Sequence, residues 1–334
     1  MSGLTPLTTW QQRLADELAD DSVVVAVDDA VRHVILEELD HCRRAPVFEG
    51  RQPTYGAMII SPDGSADRRQ ALNDHIAFDV IPLDGDPMRA RTYADGRSSY
   101  LVRDVEGHVA LACFERSMLF EVDLVHLQQL TGGAIVQRTP VLDVVRIFVE
   151  DSVISWDGRH WQSRPTASSL RTALASGRPE LGERLADVAE LAIHWLAPSR
   201  VGATIVIGHG ELDYGRLDLS TAARTPALSV SNRRHFAALV AVLRQHDLAV
   251  VVDNDGVIRK MAVGLRWSDA AEAAVDNARG MRHRSAQRYS YDQADVTVVV
   301  VSEDGPVTFY RNGAVLATTG AAPPDEAAAP LTGP

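Results

Sequence analysis

Val296-Thr297-Val298-Val299-Val300-Val301 is a dense β-branched stretch only as long as a strand, and no apolar run in the chain exceeds eight residues. A helix that crosses a membrane needs about 18 or more apolar residues in a row, so the sequence predicts none. Short β-branched runs of this kind recur along the chain, and amphipathic stretches with helical period lie between them. That alternation predicts mixed sheets with helices packed on them, an α/β (α+β) class. At 334 residues, and roughly 150 per domain, the chain is expected to form two domains. Its 46% of apolar residues suffices for the cores of a soluble globular protein.

The first domain is expected over residues 1–165. Helical period marks 11–19 and 31–39, and strand-like runs mark 22–27 and 55–61. Residues 98–105 and 108–114 read as paired strands around an acidic turn with a glycine. Residues 144–156 and 159–163 read as a hairpin with Asp157-Gly158 as its turn. No internal repeat links this block to the next, and it holds no glycine-rich phosphate loop, HExxH or GxSxG motif.

The second domain is expected over residues 166–319. Leu181, Leu185, Val188, Ala192 and Leu196 recur at helical spacing until Pro198, with Glu183, Arg184, Asp187 and Glu190 mostly on the other side. A strand-like run follows at 203–207, then an amphipathic helix at 232–245. Strands at 249–252 and 257–263 flank the turn Asp253-Asn254-Asp255-Gly256. Ser268 is placed to cap a helix over 268–275. Three strands, at 296–301, 307–310 and 314–318, end the block. Residues 320–334 are rich in Ala, Pro and Gly and are expected to be disordered.

Charge narrows the partners. A formal net charge of -12 disfavours polyanions and anionic membranes. Cys42 and Cys113 lie far apart with no metal-ligand spacing, which reads as two free thiols in a reducing compartment. The N-terminus lacks a basic region followed by an apolar one, so a cytoplasmic protein is expected. One segment opposes the overall sign: Arg279, Arg282, Arg284 and Arg288 lie between Asp276 and Asp292 with no acid among them.

Three short motifs carry the chemistry. Arg282-His283-Arg284-Ser285 follows Gly280 and precedes a short helical pattern. Guanidinium forks, free amides and a helix start all favour phosphate oxygens. His246-Asp247 stands at a helix-to-strand junction, where an imidazole and a carboxylate can share a divalent metal or deprotonate a hydroxyl. Ser302-Glu303-Asp304-Gly305 follows the apolar strand and offers a carboxylate at its end, although an acidic turn explains it equally well. Taken singly, each also reads as an ordinary solvated face or turn.

In order, His246-Asp247-Leu248-Ala249, Gly280-Met281-Arg282-His283-Arg284 and Ser302-Glu303 resemble the HDGA, GTRHR and Ser-Glu motifs of the diadenylate cyclase domain. Val201-Gly202-Ala203-Thr204-Ile205-Val206-Ile207 is similar to that family's opening core strand. The resemblance runs from about Leu181 to Thr318. It implies a mixed sheet flanked by helices and the condensation of two ATP into cyclic di-AMP, with release of two pyrophosphates. Each site would form between two domains face to face, in a homodimer or higher homo-oligomer, with Mn or Mg present.

Carried over residue by residue, Asp247 would promote the attacking hydroxyl and help organise the metal, with His246 as a further metal ligand. Arg282, His283, Arg284 and Ser285 would hold the triphosphate and Ala249 the nucleotide. Glu303 would orient the catalytic groups. Two positions depart: Leu248 stands where the family has glycine, and Met281 where it often has threonine. Leucine adds bulk and does not readily take a positive φ. The alternative is therefore a nucleotide-binding sensor without turnover. The first block would be a sensor or regulatory domain, by analogy with related cyclases.

Overall fold

The computed structural model describes residues 7–320 except 27, 46–48, 50–52, 62–76, 84–86, 119–120, 139–143, 157, 168–169, 171–178, 211–212, 224, 276–279 and 304–305. Asp157 of the expected turn, Arg279, the Asp304-Gly305 pair and the tail after Gly320 lie outside the described residues. The chain divides into two compact units, Met1–Thr166 and Ala167–Pro334.

The first unit is an eight-stranded sheet with helices on both faces. It contains α1 (Thr9–Asp20), α2 (Asp29–Arg44), β1 (Tyr55–Ile60), β2 (Phe78–Pro82), the short α3 (Pro87–Ala90), β3 (Ser99–Asp104) and β4 (Val109–Phe114). It continues with α4 (Glu121–Thr131), β5 (Ala134–Arg138), β6 (Val145–Val149), β7 (Ser152–Trp156) and β8 (Trp161–Pro165). The strand order is β2-β4-β3-β1-β5-β6-β7-β8, with only β1 and β3 parallel. Thr8 and Gln11 form a reciprocal capping box that starts α1, and Asp28 accepts the Val31 amide to start α2. Ile35, Leu39, Ala57, Val136 and Ile147 pack on one face of the sheet, and Leu124, Leu127, Ile135 and Phe148 on the other.

Two local expectations need correction here. Residues 22–26 do not pair as a strand: Val23 and Val25 are buried and Val24 is 72% exposed, but no ladder forms. Alternation there records burial alone. Residues 144–156 form two strands rather than one, because the chain reverses at Glu150, which takes φ 48.

The second unit holds α5 (Pro179–Leu191), which runs on into a π turn (Ala192–Leu196), then β9 (Ala203–Gly208), β10 (Leu217–Asp218) and α6 (Phe236–Leu243). After these come β11 (Ala249–Val252), β12 (Ile258–Leu265), α7 (Asp269–Ala274), α8 (Met281–Asp292), β13 (Val296–Val301), β14 (Val307–Arg311) and β15 (Ala314–Thr318). Ser268 caps α7 by accepting the Ala271 amide, as its position predicts. The sheet order is β10-β12-β11-β9-β13-β14-β15. Both faces are covered. Leu185, Val188, Phe236 and Leu239 pack on Ile205, Val250 and Val299, while Ala286 and Tyr289 of α8 pack on Val206, Val251, Val298 and Val300. The valine run is thus a central strand buried on both sides, which explains its lack of alternation. Among the described residues no helix is long and apolar enough to cross a membrane.

Candidate functional site

Three central strands bring the separated motifs to one end of the second sheet. β9 lies between β11, to which it is parallel, and β13, to which it is antiparallel. The beginnings of β9 and β11 therefore share an end with the finish of β13. Gly202 precedes β9, Asp247 and Leu248 precede β11, and Ser302 and Glu303 follow β13. The first turn of α8 reaches the same end. Arg282-His283-Arg284 lies inside that turn and not ahead of the helix, which begins at Met281 with Gly280 as its N-cap. No side chain caps this terminus.

Arg282 is the hub. Its Nη2 donates to Asp247 Oδ1 and its Nη1 to Glu303 Oε1, the latter at 3.1 Å. The two carboxylates are 84% and 66% exposed, whereas the arginine is 29% exposed. Partial burial works against the guanidinium charge, but hydrogen bonds and the charges of Asp247 and Glu303 outweigh it, so the group is held more firmly protonated than usual. Gly202 makes the clamp possible. A Cβ there would lie 2.2 Å from Arg282 Nη1 and 2.9 Å from Glu303 Cγ. The motif resemblance places Gly202 in the opening strand only; a glycine just ahead of a buried strand is the available signal.

His283 points inward on the helix stripe shared with Ala286 and Ser290, both buried. Its Nδ1 lies 2.8 Å from Tyr310 Oη and its Nε2 2.9 Å from Ser302 Oγ. Ser285 donates within its own helix, to the Met281 carbonyl at 2.9 Å, and Arg284 is half-buried on the same turn. Ala249 is buried as the first residue of β11, pairing with Val263. Its partner strand bulges just beside it, where Ala262 takes φ 55. His246 is half-buried in the junction before Asp247. Leu248 and Met281 are both exposed, and Leu248 does not adopt a positive φ. The leucine therefore strains neither the loop nor the core.

Among the described residues, only Asp104, Glu106 and His108 in the first unit bring three ligand-type atoms within 4.8 Å. That group is an exposed hairpin turn closed by Asp104, which accepts the amides of Glu106 and His108. In the second unit the Arg282 guanidinium bridges Asp247 and Glu303 instead.

Residues 190–315, which contain this whole arrangement, match the family described as DisA bacterial checkpoint controller nucleotide-binding, the DAC domain. Residues 12–164 match the family described as Probable sensor domain DACNK. The chain carries a DACNK domain followed by a DAC domain. No curated protein matches it. Among solved structures, the hypothetical membrane spanning protein from Bacillus cereus is 22% identical, over 47% of this chain and 64% of its own, with a TM-score of 0.31. This chain thus spans slightly less than two thirds of that protein. A double mutant of DacA from Staphylococcus aureus is 18% identical, over 47% of this chain and 87% of its own, with a TM-score of 0.30. The DAC domain belongs to a nucleotide-binding family, and the arginine-rich helix start at the end of its sheet is the part suited to phosphate.

Proposed function

We propose that the DAC domain condenses two ATP into cyclic di-AMP with release of two pyrophosphates, and that the DACNK domain regulates it. The observation that carries this reading is the gathering of Asp247, Arg282 and Glu303 at one end of the sheet. Each 3'-hydroxyl attacks the α-phosphate of the other ATP, one pyrophosphate leaves from each, and two phosphodiester bonds close the ring. Such phosphoryl chemistry depends mainly on positioning and charge stabilisation. Asp247 accepts the hydroxyl proton or orients it, and its exposure leaves it accessible to substrate. Arg282, Arg284 and Ser285 hold the phosphates while His283 braces their turn against Ser302 and Tyr310, Ala249 supports the nucleotide and Glu303 orients Arg282.

The donor set suits a hard divalent cation. Asp247 and Glu303 already collect around one cationic group, the guanidinium of Arg282. Asp247, with His246 beside it, would hold Mn or Mg, which when bound neutralises charge on the α-phosphate. Phosphate oxygens would replace Asp247 on the guanidinium, leaving that carboxylate for the hydroxyl while Glu303 keeps Arg282 in place.

The direct test incubates the purified full chain with ATP and Mn or Mg. Cyclic di-AMP and pyrophosphate in a 1:2 ratio are expected. Asp247→Asn is expected to lose product by about 100-fold or more, while nucleotide-dependent thermal stabilisation remains. Wild type that is stabilised by ATP yet forms no product would establish the second reading, a nucleotide-binding sensor. Leu248 and Met281, which depart from the family's motifs, are the residues that favour that second reading.

Gly202→Ala gives an independent check. The new methyl would meet the guanidinium of Arg282 and the Cγ of Glu303, side chains free to shift at the end of the sheet, so Arg282 moves and the fold holds. ATP affinity is expected to fall about 10-fold, with the melting temperature changed by less than about 2 °C. Isothermal titration and a thermal melt read the two quantities.

A further inference from the structure

We propose that Tyr310 is a positioning residue of the nucleotide site, whose phenol donates to His283 Nδ1 and thereby directs the His283 Nε2–H onto Ser302 Oγ. The inference rests on the phosphate-binding role given above to the helix turn that carries His283.

Tyr310 is fully buried on β14, among Val206, Val298, Val300 and Tyr289. A phenol hydroxyl in such surroundings needs a polar partner, and the imidazole supplies one at 2.8 Å. The polarity of the chain follows from acidity. A phenol, with its pKa near 10, is a stronger donor than an aliphatic hydroxyl, and an imidazole lone pair is a good acceptor. If Nδ1 accepts, the neutral ring carries its proton on Nε2, which then donates across 2.9 Å to Ser302 Oγ. The serine's own proton is left for an acceptor in the site. Contacts at opposite ends of the ring fix both its orientation and its tautomer.

The anchors are rigid. Tyr310 pairs with Val298 of β13 and Val315 of β15, and the Ser302 amide donates to the Pro306 carbonyl at 2.9 Å. The rings of His283 and Tyr310 meet edge to face, with centroids 5.9 Å apart. His283 is thus held from the sheet side by groups that do not themselves need to touch nucleotide.

The test combines a spectroscopic and a kinetic measurement on the full chain. Long-range proton–nitrogen NMR of protein labelled with ¹⁵N-histidine, with His283→Gln to assign the signal, reads the tautomer directly. The Nε2–H form is expected; an Nδ1–H form overturns the proposal. Tyr310→Phe is expected to spread the proton over both nitrogens and to lower kcat about 10-fold, with the KM for ATP within about 2-fold. In a His283→Gln background it is expected to cost nothing further. A Tyr310→Phe protein with wild-type turnover and tautomer, or losses that multiply in the double variant, overturns the assignment. Should Tyr310→Phe fail to fold, the wild-type tautomer and a kcat loss in Ser302→Ala decide in its place, wild-type turnover in that variant counting against the proposal. Absence of cyclic dinucleotide from wild type would defeat the cyclase reading, and the tautomer alone would then decide the role of Tyr310.

Discussion

Arg282→Ala is expected to lower cyclic di-AMP formation by about 10²- to 10³-fold with almost no loss of stability. The size of the effect follows from what the guanidinium does. It is the cation at the end of the sheet that touches both site carboxylates, and it sits in the first turn of a helix whose amides face the same way. Removing it takes away a fixed positive charge where phosphate charge must be balanced. The small stability change follows from exposure. Asp247 and Glu303 are mostly in water, so their ion pairs with Arg282 are screened and contribute little to folding. Product formation at saturating ATP, measured beside a thermal melt, separates the two effects. A melt lowered by many degrees would mean that the clamp is structural, and a wild-type rate would remove Arg282 from the mechanism.

Glu38→Ala is expected to destabilise the sensor unit by about 3–5 kcal/mol, the cost of stranding a buried charge partner. Glu38 is fully buried on α2 and gathers three groups from distant parts of the chain. Arg91 donates to it through Nε and Nη2, each at 2.9 Å, and Arg103 and the Tyr55 hydroxyl donate as well. Alanine leaves both guanidinium groups facing a cavity. Denaturant unfolding followed by amide protection in α2, β1 and β3 would read the loss. Acid should mimic the mutation. Burial alone would raise the Glu38 carboxyl, but the hydrogen bond and charge of Arg91 and the charge of Arg103 outweigh it and hold the group below its ordinary value. A carboxyl lowered in the folded state contributes stability above its unfolded pKa, near 4.3, and that contribution is lost as the pH falls through the folded value. The sensor unit should therefore lose this contribution below about pH 4.3. Glu38→Ala should remove that part of the acid sensitivity.

Most of the second unit was legible because its signals were local. Ser268 caps its helix, Pro198 follows the long helix, and the β11–β12 turn contains an aspartate and a glycine that set its shape. The first unit was harder for an identifiable reason. Gln137 and Arg138 of β5 and Arg146 of β6 are buried polar residues, so these strands lack the apolar signature that burial normally leaves. Gln137 is accommodated by bonds to the Gly96 carbonyl, the Tyr100 hydroxyl and Arg146, partners that no local pattern reveals. At the site, the motif spelling picked out Asp247, Arg282 and Glu303, and the sheet order explains why they meet. Gly202 and Tyr310 were not legible as site residues. One matters for the side chain it lacks, and the other reads as core because it is core.

The position of β13 also bears on when this arrangement of side chains comes together. That strand does not add to an edge; it enters between β9 and β14, and its pairing with β9 joins segments roughly 100 residues apart in sequence. While the ribosome has completed Asp247 but not Glu303, the growing chain carries one of the two carboxylates that Arg282 bridges and lacks the other, which follows β13. The loop closure that seats β13 is thus the same event that brings Glu303 beside Arg282 and Asp247. A partly folded chain therefore lacks the clamp, which is completed together with this long-range strand pairing.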